Sequence, residues 1–324
     1  MKPLHYKGTP IKSLEKLAQI LDCSVTTLRQ TAERSARYYQ PNPPEHKSDG
    51  RIRQTYRVLS PLKELQDKIL HAILDQIEFP LYLQGSIKDT ETPRDYITDA
   101  SLHAQYRWTI SDDVKDFFPS VRYELILEIW RDFVGCPNDI SCILTNLTIF
   151  QGMIPQGAAT SSALANLVFW DQENQLVSKF EQHGFFYTRY VDDINVSSNK
   201  RLTKADIKFI TSNLYGMLSS KGLKPNHKKR HIQIPSQKKT IHNLNINAGV
   251  ATMSKKERSK VRAAVKQCEE MADTDRSSDI YIEQYQCTLG RVSSMQRLHP
   301  NEAQPYRGRL IAIQPIHISR ASHL

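Results

Sequence analysis

Two adjacent aspartates, Asp192 and Asp193, are the residues whose types and spacing indicate chemistry most directly. They lie within residues 185–198, where apolar and β-branched residues on both sides predict a β-hairpin with the acidic pair at its tip. Two carboxylates held together in an apolar hairpin repel each other and lose solvation, so they require a cation. Hard oxygen ligands on a short turn suit Mg²⁺. The alternative interpretation is an ordinary Asp-Asp surface turn.

A second acidic site lies upstream, at Asp113. Alternating apolar residues up to Ile110 predict a strand that runs into this aspartate, and Pro119 ends the pattern before a helix that we expect to begin near Tyr123. If the strand and the hairpin are neighbours, three carboxylates meet. Two Mg²⁺ ions about 3.5–4 Å apart are a known device for in-line phosphoryl chemistry. The sequence therefore predicts nucleotidyl transfer or phosphodiester hydrolysis.

Three short motifs resemble motifs of reverse transcriptases and follow one another in the same order as in that family. Residues 190–193, Tyr-Val-Asp-Asp, resemble the Tyr-x-Asp-Asp box of that family, and residues 113–121 resemble its first palm motif. Between them, residues 154–166 are similar to its Pro-Gln-Gly…Leu-Ala-Asn motif. Three motifs in the right order over about 80 residues are far more specific than one alone. The resemblance implies an RNA-directed DNA polymerase that uses two Mg²⁺ ions and deoxynucleoside triphosphates.

The resemblance also implies roles for the acidic residues and their neighbours. Asp113 would bind both metal ions, and the backbone carbonyl of Val114 would be a further ligand. Asp192 and Asp193 would supply the remaining carboxylates. Asp112, one residue before the first palm aspartate, would be a bystander.

A nucleotide site beside the metals follows from the same resemblance. Phe118 falls on the steric-gate position, where a bulky ring under the sugar excludes a 2′-hydroxyl, while Phe117 is expected in the core. Gln156 would lie against the nucleotide and the template. Gly157 would let the backbone approach closely.

A basic segment, residues 222–230, resembles the next palm motif of the family, in which a lysine protonates the departing pyrophosphate. Its spacing from Asn226 favours Lys229 as that lysine. The alternative is that the charge run forms a phosphate-contacting face with no role in proton transfer.

The elements that must position these residues begin with two predicted helices, one over residues 13–21 and one from residue 25. The first has a capping-box start and helical spacing of its apolar residues. A helix–turn–helix of this kind either contacts DNA or forms a small helical prelude that packs on the fingers. We expect the prelude.

Residues 51–58 alternate cationic or polar side chains with apolar ones, which predicts a strand that carries its arginines on one face. The resemblance makes this the fingers strand, in which Arg51 or Arg53 binds the triphosphate bidentately. A solvated edge strand is the alternative.

A basic helix is predicted from residue 255, and further helical stretches follow it. In the family, such a thumb helix follows the backbone of an RNA–DNA duplex through contacts that are independent of sequence and sensitive to salt. The residues expected to bind nucleic acid are Lys255, Lys256, Arg258, Lys260 and Arg262.

Composition agrees with a polyanionic partner. The 324 residues include 44 Lys and Arg against 34 Asp and Glu, giving a net charge of +10 and a pI near 9.3. The five cysteines are odd in number and form no closely spaced pair, which disfavours a disulfide framework or structural zinc. With neither a signal peptide nor an apolar run long enough for a membrane span, we expect a cytoplasmic protein without membrane contact.

Two further segments bear on the group within the family. Residues 99–103 are similar to the Asn-Ala-x-x-His signature of retron reverse transcriptases, with Asp99 in place of the asparagine. Residues 241–243, Ile-His-Asn, stand where many retron enzymes carry Val-Thr-Gly. The resemblance implies synthesis of RNA-linked single-stranded DNA from a structured noncoding RNA, a role in antiphage defence and a separate effector protein.

The predicted fold is α+β, a right-hand polymerase with an antiparallel palm sheet packed on helices and a helical thumb. We expect a helical prelude over residues 1–50, fingers with part of the palm over 51–104, the palm with inserted fingers helices over 105–250, and the thumb over 251–324. Two alternatives remain: a reverse transcriptase of another bacterial lineage, intron-derived or of the abortive-infection type, and a non-catalytic scaffold for RNA or an effector.

Overall fold

The computed structural model describes residues 3–46 and 50–316. There the chain forms two compact units, one built from the residues up to Asp99 with Arg107–Gln233, the other from Ala100–Tyr106 and the residues from Ile234 onward. Parts of the predicted prelude (1–2 and 47–49) and the end of the predicted thumb (317–324) lie outside the described residues. The division into prelude, fingers, palm and thumb stays a prediction. Of the helices in the described ranges, none has the length and apolar character needed to span a bilayer.

Short strands and mostly longer helices alternate along the chain. The strands are β1 (His5–Tyr6), β2 (Tyr39–Pro41), β3 (Glu45–His46), β4 (Ile52–Arg53), β5 (Tyr56–Val58), β6 (Ile77–Glu78), β7 (Leu83–Gln84), β8 (Trp108–Asp113), β9 (Phe186–Tyr190), β10 (Asp193–Ser198), β11 (His231–Gln233), β12 (Thr240–Ile241) and β13 (Leu244–Asn245). The α-helices are α1 (Leu14–Ile20), α2 (Val25–Glu33), α3 (Leu62–Ala72), α4 (Tyr96–Ala104), α5 (Phe117–Ser120), α6 (Tyr123–Glu128), α7 (Asn138–Thr148), α8 (Ser161–Leu167), α9 (Glu173–Gln182), α10 (Lys204–Ser220), α11 (Lys255–Ala272), α12 (Asp279–Leu298) and α13 (Pro300–Ala312).

A five-stranded sheet in the first unit has the strand order β11-β8-β10-β9-β7. The β9–β10 hairpin is antiparallel, and β10 also pairs antiparallel with β8, so that Asp193 lies opposite Asp113. Only the pairing of β7 with β9 at one edge is parallel among the described strands of this sheet. The predicted hairpin is present, and it lies beside the strand that carries the first palm aspartate.

The two faces of this sheet differ in character because side chains alternate along a strand. Ile110, Ile194 and Val196 are buried in the hydrophobic core on one face. On the other face, Thr109 hydrogen-bonds Ser197 (2.9 Å) and Ser111 donates to Asn195 (2.7 Å). The apolar face anchors the sheet on helices, and the polar face extends toward the paired aspartates.

Helices around the sheet complete the core of the first unit. α10 begins with a capping box, in which the Thr203 hydroxyl accepts from the Asp206 amide and the Asp206 carboxylate accepts from the Thr203 amide. α1 and α2 are present at the predicted places, and Leu17 and Leu28 on them are fully buried. Burying a leucine side chain contributes about 1.5–3 kcal/mol. These leucines pack α1 and α2 onto the hydrophobic core of the first unit.

The predicted single strand over residues 51–58 is instead two short strands, β4 and β5, in different sheets. β4 pairs with β3, and β5 pairs with β2. Between them, the Gln54 side chain donates to the backbone carbonyls of Asn42 (2.8 Å) and Thr55 (2.8 Å), and this side-chain bonding interrupts the ladder.

The second unit contains three long helices, α11, α12 and α13, around a separate hydrophobic core. Val265, Tyr281, Met295 and Leu310 are among its buried residues. Ser254 and Ser278 cap α11 and α12 by accepting a hydrogen bond from the backbone three residues on. The predicted basic helix is therefore the first half of α11.

Residues 241–243 include the turn of a small hairpin in the second unit, between β12 and β13. His242 and Asn243 both have positive φ, 49° and 64°. Two successive residues in this conformation match the twist of a tight two-residue hairpin. The departure from Val-Thr-Gly thus lies on a turn.

Candidate active site

A cleft in the first unit brings together most of the residues predicted to act on a nucleotide. Its walls come from β4, the end of β8, the loop and short helix α5 after β8, the segment before α8, the turn after β9 and the segment before β11. The predicted residues that line it are Arg51, Arg53, Asp113, Val114, Phe118, Gln156, Asp192 and Lys229.

Asp113 is the most constrained carboxylate of the cleft. It ends β8 and is only 4% exposed. Its Oδ1 accepts from Asn226 Nδ2 (2.8 Å), and its Oδ2 accepts from Lys229 Nζ (2.7 Å). The backbone amide of Asn226 also donates to the Asp113 carbonyl (2.7 Å). The motif after α10 therefore binds directly to the first palm aspartate, and Asn226, which the sequence supplied only as a spacing marker, orients it.

Asp192 lies in the turn between β9 and β10. Val191 before it has a φ of 56°, and the Asp192 carbonyl accepts from the Val114 amide (3.0 Å), which fixes the turn to the end of β8. Burial, and next the negative charge of Asp113, raise the pKa of Asp192. The two carboxylates repel each other, so a cation between them is favourable.

Lys229 contributes a cation of its own. Burial alone would lower its pKa, but the hydrogen bond and charge of Asp113, together with the charges of Asp193 and Asp192, outweigh burial and raise it. The ammonium is therefore stabilised in its protonated form at this position. Its predicted role as a proton donor remains a prediction.

The predicted metal site contains carboxylates from two neighbouring strands and the turn between β9 and β10. Within residues 3–46 and 50–316, no three His, Cys, Asp or Glu side chains are placed so that they could hold one metal ion. The donor set nevertheless fits a hard divalent cation, since the Asp192 and Asp113 carboxylates repel each other and Asp193 lies opposite Asp113 in the sheet. The metal ligands predicted from the sequence stay predictions.

Asp112 faces away from the cleft, as expected for a residue next to Asp113 in a strand. It is buried, and burial is the main cause that raises its pKa. Its carboxylate accepts from the Tyr215 hydroxyl (3.0 Å) and from the Asp113 amide (3.0 Å). It connects α10 to the back of β8.

Arg53, in β4, and Arg51, just before that strand, line the cleft, and each donates a hydrogen bond to another residue that lines it. Arg53 Nε donates to Gln156 Oε1 (2.9 Å). Arg51 Nη1 donates to Asp116 Oδ1 (2.8 Å), on a residue whose φ is 45°. Both arginines are thus placed where the predicted triphosphate contacts would be made, and their role in binding it stays a prediction.

Position 157 requires glycine because of a backbone contact with β5, and not because of the shape of the cleft. Its φ is 105°, and a Cβ atom added there would lie 2.5 Å from the Tyr56 carbonyl oxygen. The neighbouring Gln156 carbonyl accepts from the Tyr56 amide (2.8 Å). Only glycine lets this segment pass so close to β5, which places the Gln156 side chain beside Arg53.

The adjacent phenylalanines separate as expected. Phe117 is buried and its ring stacks on that of Phe169, with 6.2 Å between centroids. Phe118 is half-buried and lines the cleft. A ring at this position is suitable for the predicted steric gate, which remains untested.

The predicted nucleic-acid-binding residues of the second unit lie on the first turns of α11. Lys255, Arg258 and Arg262 line a small notch together with Tyr306. Lys260 pairs with Glu257 (2.8 Å), and Arg258 pairs with Glu302, so acidic partners offset part of the charge. Lys256 is exposed.

Comparisons with known proteins show which family profile, which sequences and which structures this chain resembles. Residues 44–248 match the sequence profile of the family described as reverse transcriptase (RNA-dependent DNA polymerase). The chain is 28% identical to the retron Se72 reverse transcriptase of Salmonella heidelberg, over 98% of this chain and 83% of that protein. It is 27% identical to the retron Ec48 reverse transcriptase of Escherichia coli, over 97% of this chain and 79% of that protein.

Among solved structures, a telomerase of Candida albicans in complex with a fragment of telomeric RNA is similar with a TM-score of 0.47 and 9% identity. That match covers 90% of this chain and 60% of the telomerase chain.

Proposed function

Because this chain belongs to the reverse transcriptase family, we propose that it copies a structured noncoding RNA into single-stranded DNA that remains joined to that RNA, as a retron enzyme. The predictions of a reverse transcriptase, of a right-hand polymerase fold and of an RNA-directed DNA polymerase are confirmed by the family match. The observation that carries the retron proposal is the similarity to retron reverse transcriptases over nearly the whole chain.

The reaction proposed is attack of a hydroxyl group on the α-phosphate of a deoxynucleoside triphosphate, with pyrophosphate leaving. Asp113, Asp192, Asp193 and the carbonyl of Val114 would hold two Mg²⁺ ions. When bound, these ions supply charge stabilisation for the attacking and leaving oxygens. Asn226 holds the Asp113 carboxylate in its orientation for this purpose.

Cationic side chains of the cleft would have two roles: the arginines would bind the triphosphate, and the lysine would protonate the departing pyrophosphate. Arg51 and Arg53 line the same cleft as Asp113 and Asp192 and are suited to bidentate phosphate contacts. Lys229 is protonated beside Asp113, from where its proton can pass to the departing pyrophosphate. Phe118 would exclude a ribonucleotide by contact with the 2′-hydroxyl.

Priming would occur from a 2′-hydroxyl of the RNA, which gives a branched product. The first turns of α11, from Lys255 to Arg262, would contact the duplex backbone through charge and would help to hold the cognate RNA. A separate effector protein and a role in antiphage defence belong to the same proposal.

The test is to purify the protein from its native locus and to treat the bound nucleic acid separately with ribonuclease and deoxyribonuclease on a denaturing gel. A discrete band that is sensitive to both and is shortened by debranching enzyme is the expected result. If no DNA is bound, and the protein extends only an added primer–template, it is a reverse transcriptase of another lineage. If it neither carries DNA nor extends a primer, a non-catalytic scaffold is indicated.

A further inference from the structure

Arg189 is a fully buried cation directly behind residues 191–192, the turn between β9 and β10 that we call the catalytic turn. It lies in β9 opposite Ile194, whereas Tyr190 lies opposite Asp193, so its side chain is on the other face of the sheet from the Asp113–Asp193 pair. Both Arg189 and its partner Glu173, at the start of α9, have no exposed side-chain surface. A buried charge pair of this kind demands an explanation.

The guanidinium makes contacts in two directions. Toward α9, Nε and Nη2 donate to Glu173 Oε1 (2.6 Å) and Oε2 (2.7 Å), and the Tyr187 hydroxyl donates to Oε1 (2.6 Å). Toward the turn, Nη1 donates to the Val191 carbonyl (3.0 Å), and Nη2 donates to the Asn166 carbonyl (2.9 Å). Glu173 fixes the plane of the guanidinium, and the remaining donors bind backbone.

The two backbone acceptors belong to the segments that form the active site. Val191 is a β-branched residue with positive φ and immediately precedes Asp192. Asn166 closes the motif over residues 154–166, and its Nδ2 donates to the Gly85 carbonyl (3.0 Å). Gly85 in turn lies against the Tyr190 ring, which a Cβ atom there would approach within 2.9 Å. The turn is therefore held from both sides.

Stability alone is a poor explanation for this pair. Replacing a buried ion pair by well-packed apolar residues is often neutral or stabilising, so a core does not need one. Apolar side chains, however, have no donors for the Val191 and Asn166 carbonyls. A planar guanidinium with several fixed donors serves both at once.

We propose that Arg189 and Glu173 are a positioning pair that fixes the catalytic turn: Glu173 orients the guanidinium, which holds the Val191 carbonyl and thereby sets the position of Asp192 relative to Asp113. The inference rests on the polymerase activity proposed above. Neither residue touches the substrate. They act through the turn backbone.

The decisive variant replaces the whole polar cluster by apolar residues of similar size: Arg189→Met with Glu173→Leu and Tyr187→Phe. No charge and no side-chain hydroxyl is then left unpaired in the cluster. Only the Val191 and Asn166 carbonyls lose a donor, so the melting temperature is expected to fall less than in a variant that leaves one charge unpaired. On an RNA template with a DNA primer, kcat is expected to fall about 100-fold, because misplacing a reacting group by an ångström costs that much. KM for the nucleotide should change less than about threefold, since the cleft arginines are intact.

A second readout does not depend on activity. Hydrogen–deuterium exchange should rise in the peptide covering residues 186–198 and at the Val114 amide, which donates to the Asp192 carbonyl, while the core of α7 stays protected. Wild-type kcat with unchanged exchange at the turn would overturn the proposal.

If the triple variant does not fold, Glu173→Gln and Arg189→Lys decide, each assayed below its own melting transition. Glutamine at position 173 removes a charge but leaves Arg189 able to reach the turn. Lysine at position 189 keeps the positive charge but lacks the planar guanidinium with its several donors. The proposal expects the larger loss of kcat in the lysine variant, and kcat that simply follows thermal stability in both would overturn it. Wild-type protein and Asp192→Asn are run alongside. Wild-type protein without synthesis would contradict the proposed function rather than the positioning pair.

Discussion

Two ion pairs flank the catalytic turn, one in front of the sheet and one behind it, and their surroundings differ. Arg189 and Glu173, behind the turn, are fully buried and joined by two hydrogen bonds. Lys229 and Asp113, in the cleft, are joined by one, and the lysine side chain is 52% exposed. A buried bidentate pair is held in one arrangement, whereas a single contact at a solvated edge exchanges readily.

The difference distinguishes residues that fix the position of the turn from residues that would contact the reactants. Groups that must not move are placed where water does not compete for their hydrogen bonds. Under the proposed function, the groups that would release one partner and take another lie at the cleft, where each partial contact costs little to break. Arg51 with Asp116 and Arg53 with Gln156 would belong to this second class.

The largest effect on DNA synthesis is expected from loss of the Asp192 carboxylate. Asp192→Asn should lower DNA synthesis by at least about 1,000-fold, equivalent to roughly 4 kcal/mol of transition-state stabilisation. Binding of an RNA–DNA primer–template, measured by filter retention, should stay within about threefold because the amide is nearly isosteric and α11 is unchanged. Synthesis that persists in this variant would contradict the assignment of Asp192 to the metal site.

A matched pair of substitutions separates burial from chemistry. Glu173→Gln leaves Arg189 as an uncompensated buried charge and should cost about 3–5 kcal/mol of unfolding free energy. Glu269→Gln breaks the pair with Arg309 between α11 and α13, which is also bidentate but is 33% and 39% exposed, and should cost about 1 kcal/mol or less. Denaturant titration of both variants measures the difference, and equal losses would show that burial is not what distinguishes the two pairs.

Lys229→Met tests the cleft pair. We expect kcat to fall about 100-fold, within the range for loss of a general acid. Lys228→Met is the matched control, since Lys228 is an exposed neighbour on the same loop. If both variants lose activity equally, the segment acts only through its total charge, as a phosphate-contacting face.

A smaller effect is expected at the mouth of the cleft. Asp116→Asn removes the charge of one partner of Arg51 and so weakens the hold on that side chain, and KM for the nucleotide should fall about two- to threefold. Arg51→Met should raise KM instead. Steady-state kinetics at fixed primer–template measures both, and changes in the same direction would contradict a triphosphate role for Arg51.

The smallest effect concerns pH. Hydrogen bonding to Arg309 lowers the pKa of Glu269 below its ordinary value. A carboxyl whose pKa is lowered on folding stabilises the fold above its unfolded pKa, and this contribution is lost as the pH falls through the folded value. The stability difference between wild type and Glu269→Gln should therefore be present at neutral pH and disappear in acid. A difference that grows in acid would reverse the sign of this contribution.

The β9–β10 hairpin could be predicted because its signal is local. Apolar runs on both sides of Asp192 and Asp193 define two strands and a turn. The sequence leaves open whether the strand ending at Asp113 lies beside them, and in the structure that strand pairs with β10. Lys229 is predicted by its place in a motif, and its side chain lies beside Asp113, while its role stays a prediction. The family profile confirms the fold, and the register of β8 with β10 places Asp113 opposite Asp193.

Arg189 and Glu173 could not be predicted, because neither residue carries a signal on its own. An arginine inside a strand of mixed residues is ordinarily placed on the solvated face, and its partner lies sixteen residues away on a helix. The interruption between β4 and β5 was missed for a similar reason, since it depends on where the Gln54 side chain finds the Asn42 carbonyl. Long-range hydrogen bonds of single side chains leave no period in a sequence.

The contact between Lys229 and Asp113 gives this protein a built-in counter-ion. A cluster of acidic groups would ordinarily oppose compaction of the chain until dissolved ions neutralised it. Here a side chain supplies part of that neutralisation, so folding is less dependent on the salt around a newly made molecule. Under the proposed function, binding of Mg²⁺ at Asp113 would then replace one positive charge by another, where a site without Lys229 would only gain one.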